Sequence, residues 1–184
     1  MKIARNNDIY TLSDADDLMT TLEKGTYMIK YDPIKGQYYL KKKESFKLPS
    51  KLYGNFDVVE RWKKAHKANP GKNMGILLAG LKGSGKTITA EKMCIESDLP
   101  VIIQTEAYED AEYIDFITNK CWGRFILFID EFEKIYNERS NNSAVNSFLR
   151  VMDGGFDTDI LFLLTVNELN ISPYMTNRLG RIKY

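Results

Sequence analysis

One glycine-rich run in the sequence has a composition suited to binding phosphate groups. It reads Gly80-Leu81-Lys82-Gly83-Ser84-Gly85-Lys86-Thr87, matches G-x-x-x-x-G-K-[ST], and lies between an apolar segment and a segment with helical periodicity. Glycines let the backbone N–H groups face phosphate oxygens, and the following helix adds positive dipole character. Lys86 would add a charge toward the β- and γ-phosphates, and the Thr87 hydroxyl could bind Mg²⁺. The alternative is a glycine-rich turn without a ligand.

Two adjacent carboxylates, Asp130 and Glu131, directly follow the apolar run 125–129. Carboxylates at the end of a buried strand are unfavourable unless they serve a purpose, and ligands of open parallel sheets bind at the carboxyl ends of strands. Asp130 could support the metal, and Glu131 could polarise an attacking water molecule. The alternative is the acidic first turn of a surface helix. The phosphate-binding run upstream favours the catalytic interpretation.

The elements that must position these residues alternate between apolar strands and amphipathic helices from Phe56 onward. Strands are predicted at 75–79, 100–103, 125–129 and 160–164, with a fifth beginning at 182–184. Helices are predicted around Phe56–Ala65, from about Gly85, over Ala111–Cys121 and over Ala144–Met152. Strands that alternate with helices predict an α/β fold in which helices flank a parallel sheet.

The first 53 residues have a different pattern. Two aromatic-rich runs, 27–31 and 37–41, flank a turn that contains Pro33 and Gly36, which predicts a β-hairpin. The acidic residues after Ser13 predict a short helix that ends near Gly25. The lysines at 41–43 are a solvated strand end or, less favoured, a phosphate-binding patch. We therefore divide the chain into an N-terminal extension, 1–53, and an α/β domain, 54–184.

Composition restricts the class of protein further. The chain has 184 residues, with 26 Lys and Arg against 25 Asp and Glu, so at a net charge of +1 it has no global charge imbalance that would point to a nucleic-acid or anionic-membrane partner. No apolar run approaches the roughly 20 residues that cross a bilayer, and two cysteines are too few for a disulfide framework. We predict a soluble, cytoplasmic protein.

These motifs in this order resemble the AAA family of the AAA+ ATPases, over roughly residues 53–184. The glycine-rich run and the strand ending in Asp130-Glu131 are similar to the Walker A and Walker B motifs of P-loop proteins. Thr165-Val166-Asn167 resembles sensor 1, in which a polar side chain positions the attacking water. Residues 177–182 resemble the end of the second region of homology, and 148–154 resemble the leucine-rich helix end of the family.

The resemblance implies an ATPase that uses ATP and Mg²⁺ and assembles into a ring, by family a homo-hexamer. It implies catalytic roles for Glu131, Asn167, Arg178 and Arg181, with both arginines reaching the γ-phosphate of a neighbouring subunit. It assigns Thr87 and Asp130 to the metal, Gly54 to the adenine and, more weakly, Tyr108 to a substrate-gripping pore loop. Together, the residues predicted to bind the nucleotide are Gly54, Gly80, Gly83, Ser84, Gly85, Lys86 and Thr87.

The resemblance does not determine which process the ATPase drives. Remodelling or threading of a polypeptide is the favoured hypothesis, with no membrane partner. A nucleic-acid loader or motor and a nucleotide-gated assembly factor with little turnover are the alternatives. The sequence ends at Tyr184, where a fifth strand should form, without the helical lid that normally follows. We therefore expect the chain to be an excised fragment rather than a minimal variant.

Overall fold

The computed structural model describes residues 1–14, 21–52, 56–68, 71–136, 142–153, 156 and 158–167. Eight strands are described: β1 (Lys2–Asn6), β2 (Ile9–Ser13), β3 (Thr26–Asp32), β4 (Gln37–Lys43), β5 (Met74–Ala79), β6 (Val101–Ile103), β7 (Phe125–Ile129) and β8 (Ile160–Val166). The α-helices are α1 (Asp57–Ala68), α2 (Lys86–Glu96), α3 (Ala111–Ile117), α4 (Phe132–Ile135) and α5 (Asn142–Met152). A 3₁₀ turn covers Lys120–Trp122.

The eight strands form one sheet in the order β1-β2-β4-β3-β6-β7-β8-β5. From β3 to β5 all neighbours are parallel, while β1, β2, β4 and β3 pair in antiparallel fashion. The predicted α/β fold is confirmed, and the predicted hairpin is the β3–β4 pair. The extension is therefore not set apart from the parallel sheet: β3 pairs directly with β6, Thr26 with Val101 and Met28 with Ile103.

Both faces of the parallel strands are buried, which explains their unbroken apolar sequences. On one face, Ile126 and Phe128 of β7 pack in a cluster with Trp62 of α1 and Met93 of α2. On the other face, β7 residues such as Leu127 belong to a larger cluster with α3, α4 and α5. Each fully buried side chain of this size contributes about 1.5–3 kcal/mol of transfer free energy. This two-sided packing fixes the carboxyl ends of β5, β7 and β8 at a common edge.

Two predicted helices differ from those observed. The helix predicted over Ala111–Cys121 ends at Ile117, because the Asn119 side chain accepts a hydrogen bond from the Cys121 amide and starts a separate 3₁₀ turn. The helix predicted from Ser13 to Gly25 is wrong at both described ends, because Ser13 closes β2 and residues 21–25 are not helical. Its middle, like the strand predicted at 182–184 and the domain boundary at 53–54, lies outside the described residues. Within the described part of the chain, no helix is long and apolar enough to cross a membrane.

Candidate functional site

The phosphate-binding run forms the turn between β5 and α2. Gly83 and Gly85 have φ angles of 82° and 87°, in the left-handed region that side chains disfavour. A Cβ atom at either position would meet no other atom within 4 Å. Glycine is therefore favoured by the backbone conformation and not by a steric clash with neighbouring atoms. Gly85 precedes α2 without a side-chain cap, which leaves the first N–H groups of the helix available to an anion.

Lys86 folds over this turn. Its Nζ donates hydrogen bonds to the carbonyl oxygens of Gly80 and Leu81, each at 2.9 Å. The backbone of the turn is held by bonds from the Gly80 amide to the Val166 carbonyl, 3.3 Å, and from the Ser84 amide to the Leu81 carbonyl, 3.2 Å. The ammonium group is thereby held against the same turn that offers the glycine amides.

Thr87, in the first turn of α2, reaches the end of β7. Its Oγ1 donates to Asp130 at 3.0 Å from Oδ1 and 3.3 Å from Oδ2. The phosphate-binding turn and the acidic pair therefore meet across the sheet edge, as the sequence predicts. Hydroxyl and carboxylate oxygens are the donors that Mg²⁺ prefers, so this pair fits the predicted metal. Because the described residues contain no group of three His, Cys, Asp or Glu side chains suited to a metal, the remaining ligands would be phosphate and water oxygens.

Glu131 lies next to Asn167, and these are two of the residues to which the family resemblance assigns catalytic roles. Asn167 Nδ2 donates to Glu131 Oε1 at 2.9 Å, and Lys134 Nζ donates to Oε2 at 2.6 Å. The ammonium of Lys134 and, second, the Asn167 amide lower the pKa of the Glu131 carboxyl below its usual range. Glu131 also has a φ of 50°, an unusual conformation for a residue with a side chain.

Three further residues of this site have no role assigned to them from the sequence, although Thr165 opens the run 165–167 that resembles sensor 1. The buried Thr165 donates from Oγ1 to Asp130 Oδ1 at 2.5 Å and accepts from the Glu131 amide at 2.9 Å. Glu133 Oε1 accepts from the Asn167 amide at 3.1 Å, and Lys134 binds Glu131 as described above. The sequence signal for Thr165 is a polar residue near the end of an otherwise apolar strand, β8. This residue lies beside the point where the neighbouring strand, β7, is followed by Asp130 and Glu131.

The other predicted site residues do not join this group. Gly54, Arg178 and Arg181 lie outside the described residues. Tyr108 is 8% exposed and packs against Tyr38 of β4, with ring centroids 5.1 Å apart. Burial, followed by the charge of nearby Glu106, raises its pKa to about 12. A side chain so enclosed is not in a position to grip a polypeptide in this conformation.

A buried polar network lies behind the acidic pair. Gln104, which follows β6 and is 1% exposed, accepts at Oε1 from the Tyr113 hydroxyl at 2.6 Å. Its Nε2 donates to the Tyr136 hydroxyl at 2.5 Å and to the Glu106 carbonyl at 2.8 Å. Tyr136 stacks on Phe132, the residue after Glu131, with ring centroids 4.7 Å apart. The network thus supports the turn that carries the acidic pair.

Comparison with known proteins agrees with this geometry. The model of the family "ATPase family associated with various cellular activities (AAA)" matches residues 76–184, more than half of the chain. A Plasmodium falciparum protein named as a cell division cycle ATPase is 29% identical over 123 residues. That match covers 58% of this chain but 10% of the relative, so the chain spans about a tenth of its length. The strand order, the phosphate-binding turn and the family match together establish that this chain belongs to the AAA family of ATPases.

Proposed function

We propose that this chain binds ATP with Mg²⁺ and hydrolyses it to ADP and phosphate. The observation that carries the proposal is the contact between the two predicted motifs: Thr87 Oγ1 lies 3.0 Å from Oδ1 of Asp130, the residue that directly follows β7. Membership in the AAA family supports nucleotide binding in general. The reaction assigned to this particular site is our inference.

The residues divide the work by their chemistry. The turn amides and the Lys86 ammonium hold the phosphates, and Thr87 and Asp130 would hold Mg²⁺. When bound, the metal neutralises charge on the phosphate oxygens. The Glu131 carboxylate accepts a hydrogen bond from the attacking water, and Asn167 orients that water.

The contacts of Lys86 and Glu131 indicate what nucleotide binding must change. Lys86 donates to two carbonyls of its own turn, and both oxygens of Glu131 are occupied, by Asn167 and by Lys134. Phosphate is a better acceptor for an ammonium group than a peptide carbonyl is, because the hydrogen bond is charge-assisted on both sides. Nucleotide binding is therefore expected to draw Lys86 away from Gly80 and Leu81.

We propose that Arg178 and Arg181 complete the site of a neighbouring subunit, so that activity requires a ring, a hexamer by family resemblance. A heterologous contact of this kind closes a ring when its rotation permits. We propose that the free energy of ATP hydrolysis drives the remodelling or threading of a polypeptide in the cytoplasm. Residues 1–53 are proposed to be a structural extension of the ATPase sheet, and Gly54 a contact for the base.

The test compares two variants with the wild-type chain. Replacing the water-activating carboxylate in Glu131→Gln should lower phosphate release at least about 100-fold, while calorimetry should still record binding of ATP and Mg²⁺. Lys86→Ala should lose the binding itself, which makes it the matched control. Specific activity should also rise with protein concentration if a ring forms. Wild-type turnover in Glu131→Gln would remove Glu131 from its role, and no binding heat with the wild-type chain would overturn the proposal.

A further inference from the structure

The Thr165 side chain contacts both members of the acidic pair. It opens the run 165–167 that resembles sensor 1, but the water-positioning role in that run is assigned to Asn167 and not to Thr165. It lies on β8, is 1% exposed, and stands beside the point where β7 gives way to Asp130. Its Oγ1 is 2.5 Å from Asp130 Oδ1 and 2.9 Å from the Glu131 amide nitrogen. One hydroxyl thus connects a side-chain oxygen and a backbone donor of two consecutive residues.

The direction of these two hydrogen bonds follows from the chemistry of a hydroxyl group. Thr165 has one proton to donate and lone pairs to accept with. The proton goes to the Asp130 carboxylate, and the Glu131 amide can only donate. The two contacts are therefore compatible with each other, and they use the single donor of Thr165.

Thr165 differs from the other hydroxyl at Asp130. Thr87 also donates to Asp130, but it is itself one of the oxygens proposed for Mg²⁺. Thr165 has no such competing role, so its bond to Asp130 can persist when the ligands of Thr87 change. At the same time it binds the amide of Glu131, a residue held at a φ of 50° that L residues disfavour.

We propose that Thr165 is a positioning residue for the ATPase reaction: its hydroxyl aims the Asp130 carboxylate and holds the backbone of Glu131 in the conformation that presents the catalytic carboxylate. This inference rests on the proposed function for its catalytic consequence. The positioning contact itself can be measured without nucleotide. Its signature is a loss of turnover, with little loss of nucleotide affinity, when the hydroxyl alone is removed.

The experiment uses the full chain and three variants. Thr165→Val keeps the branched shape and removes the hydroxyl, Thr165→Ser restores the hydroxyl without the methyl group, and Thr26→Val is the matched control. Thr26 is a threonine 4% exposed on β3, away from the carboxyl ends of the parallel strands. Each variant is assayed for kcat, for KM for ATP with saturating Mg²⁺, and for unfolding temperature at equal protein concentration.

We expect Thr165→Val to lower kcat about 10- to 100-fold, the effect of one charge-assisted hydrogen bond, with KM changed by less than about threefold. Thr165→Ser should stay within about threefold of the wild-type kcat, and Thr26→Val should match wild type. If Thr165→Val turns over ATP normally, or if Thr165→Ser is as impaired as Thr165→Val, the hydroxyl has no positioning role and the proposal is wrong.

Hydrogen exchange separates this inference from the proposed function. In the nucleotide-free chain, the Glu131 amide should exchange slowly in wild type and Thr165→Ser and at least about tenfold faster in Thr165→Val, because its acceptor is gone. Unchanged exchange in Thr165→Val overturns the positioning contact whatever the ATPase assay shows. If exchange behaves as expected but the wild-type chain hydrolyses no ATP, the contact stands and the proposed function fails.

Discussion

Replacing Gln104 with leucine tests the polar network behind the acidic pair. The substitution Gln104→Leu removes the amide that binds the hydroxyls of Tyr113 and Tyr136, which are 1% and 2% exposed. Leucine is close to glutamine in size, so little cavity is created. The main effect is therefore chemical: two buried hydroxyl groups lose an amide partner.

The expected magnitude follows from the number of groups affected. A buried polar group left without its partner costs about 1–3 kcal/mol, so two such groups should lower the free energy of unfolding by about 2–6 kcal/mol. That is a large share of the roughly 5–15 kcal/mol that stabilises a typical domain. Removing the hydroxyls as well, in Gln104→Leu with Tyr113→Phe and Tyr136→Phe, replaces all three side chains of the network with apolar groups and leaves only the Glu106 carbonyl without its former donor. This triple variant should lose no more than about 2 kcal/mol, because no side chain of the network remains unpaired.

Urea unfolding measures the comparison, with equal m-values as the check that only stability has changed. The two single Tyr→Phe variants are the controls for loss of each hydroxyl. The decisive result is the order of the midpoints: the triple variant should be more stable than Gln104→Leu alone. If the triple variant is as unstable as the single one or worse, packing rather than hydrogen bonding dominates at Gln104, and our reasoning about the network is wrong.

Two further predictions concern α2. Glu96 accepts hydrogen bonds from Lys63, which has the larger effect, and from Lys92, and both lower the pKa of its carboxyl group. The pKa of Glu96 in the folded chain is therefore below the unfolded value of about 4.3. These contacts therefore stabilise the fold above that pH. Glu96→Gln should lose about 0.5–1 kcal/mol at pH 7, and the difference from wild type should vanish as the pH falls through the folded pKa, as followed by thermal unfolding. Gly85→Ala should lower stability by about 1 kcal/mol in urea unfolding, because φ is 87° there; no loss would show that this turn relaxes.

The core of the site could be predicted because its signals are local. The run Phe125–Ile129 has no polar interruption, so it could only be a strand buried on both faces, and its two carboxylates had to emerge at its end. The strand 160–164 gave the same kind of prediction, extended by two residues in the structure to Val166. Because β7 and β8 are neighbouring strands, Glu131 and Asn167, which follow them, lie close enough to form a hydrogen bond.

The remainder depends on contacts between distant parts of the chain. Strands β1 and β2 are five residues each and partly polar, so neither has a clear periodicity of its own; they are defined by pairing with each other and with β4. The environment of Tyr108 is set by Tyr38, 70 positions away in the sequence, which no local pattern reveals. The contacts of Thr165 with Asp130 and Glu131 could not be predicted, because they depend on the position of β8 beside the end of β7.

The way β3 joins the sheet explains why the extension and the ATPase site belong together. Without β3, β6 would be an exposed edge of three residues with unpaired backbone groups, a surface that proteins normally cover. The same extension places Tyr38 of β4 against α3, where its hydroxyl donates to Asp110 at 2.5 Å, and Asp110 in turn caps α3 by accepting from the Tyr113 amide. Tyr113 then binds Gln104, whose network ends at Phe132 beside the acidic pair. Since every step in this series is a packed ring contact or a satisfied hydrogen bond, the N-terminal strands support the wall of the candidate site and are not a separate appendage.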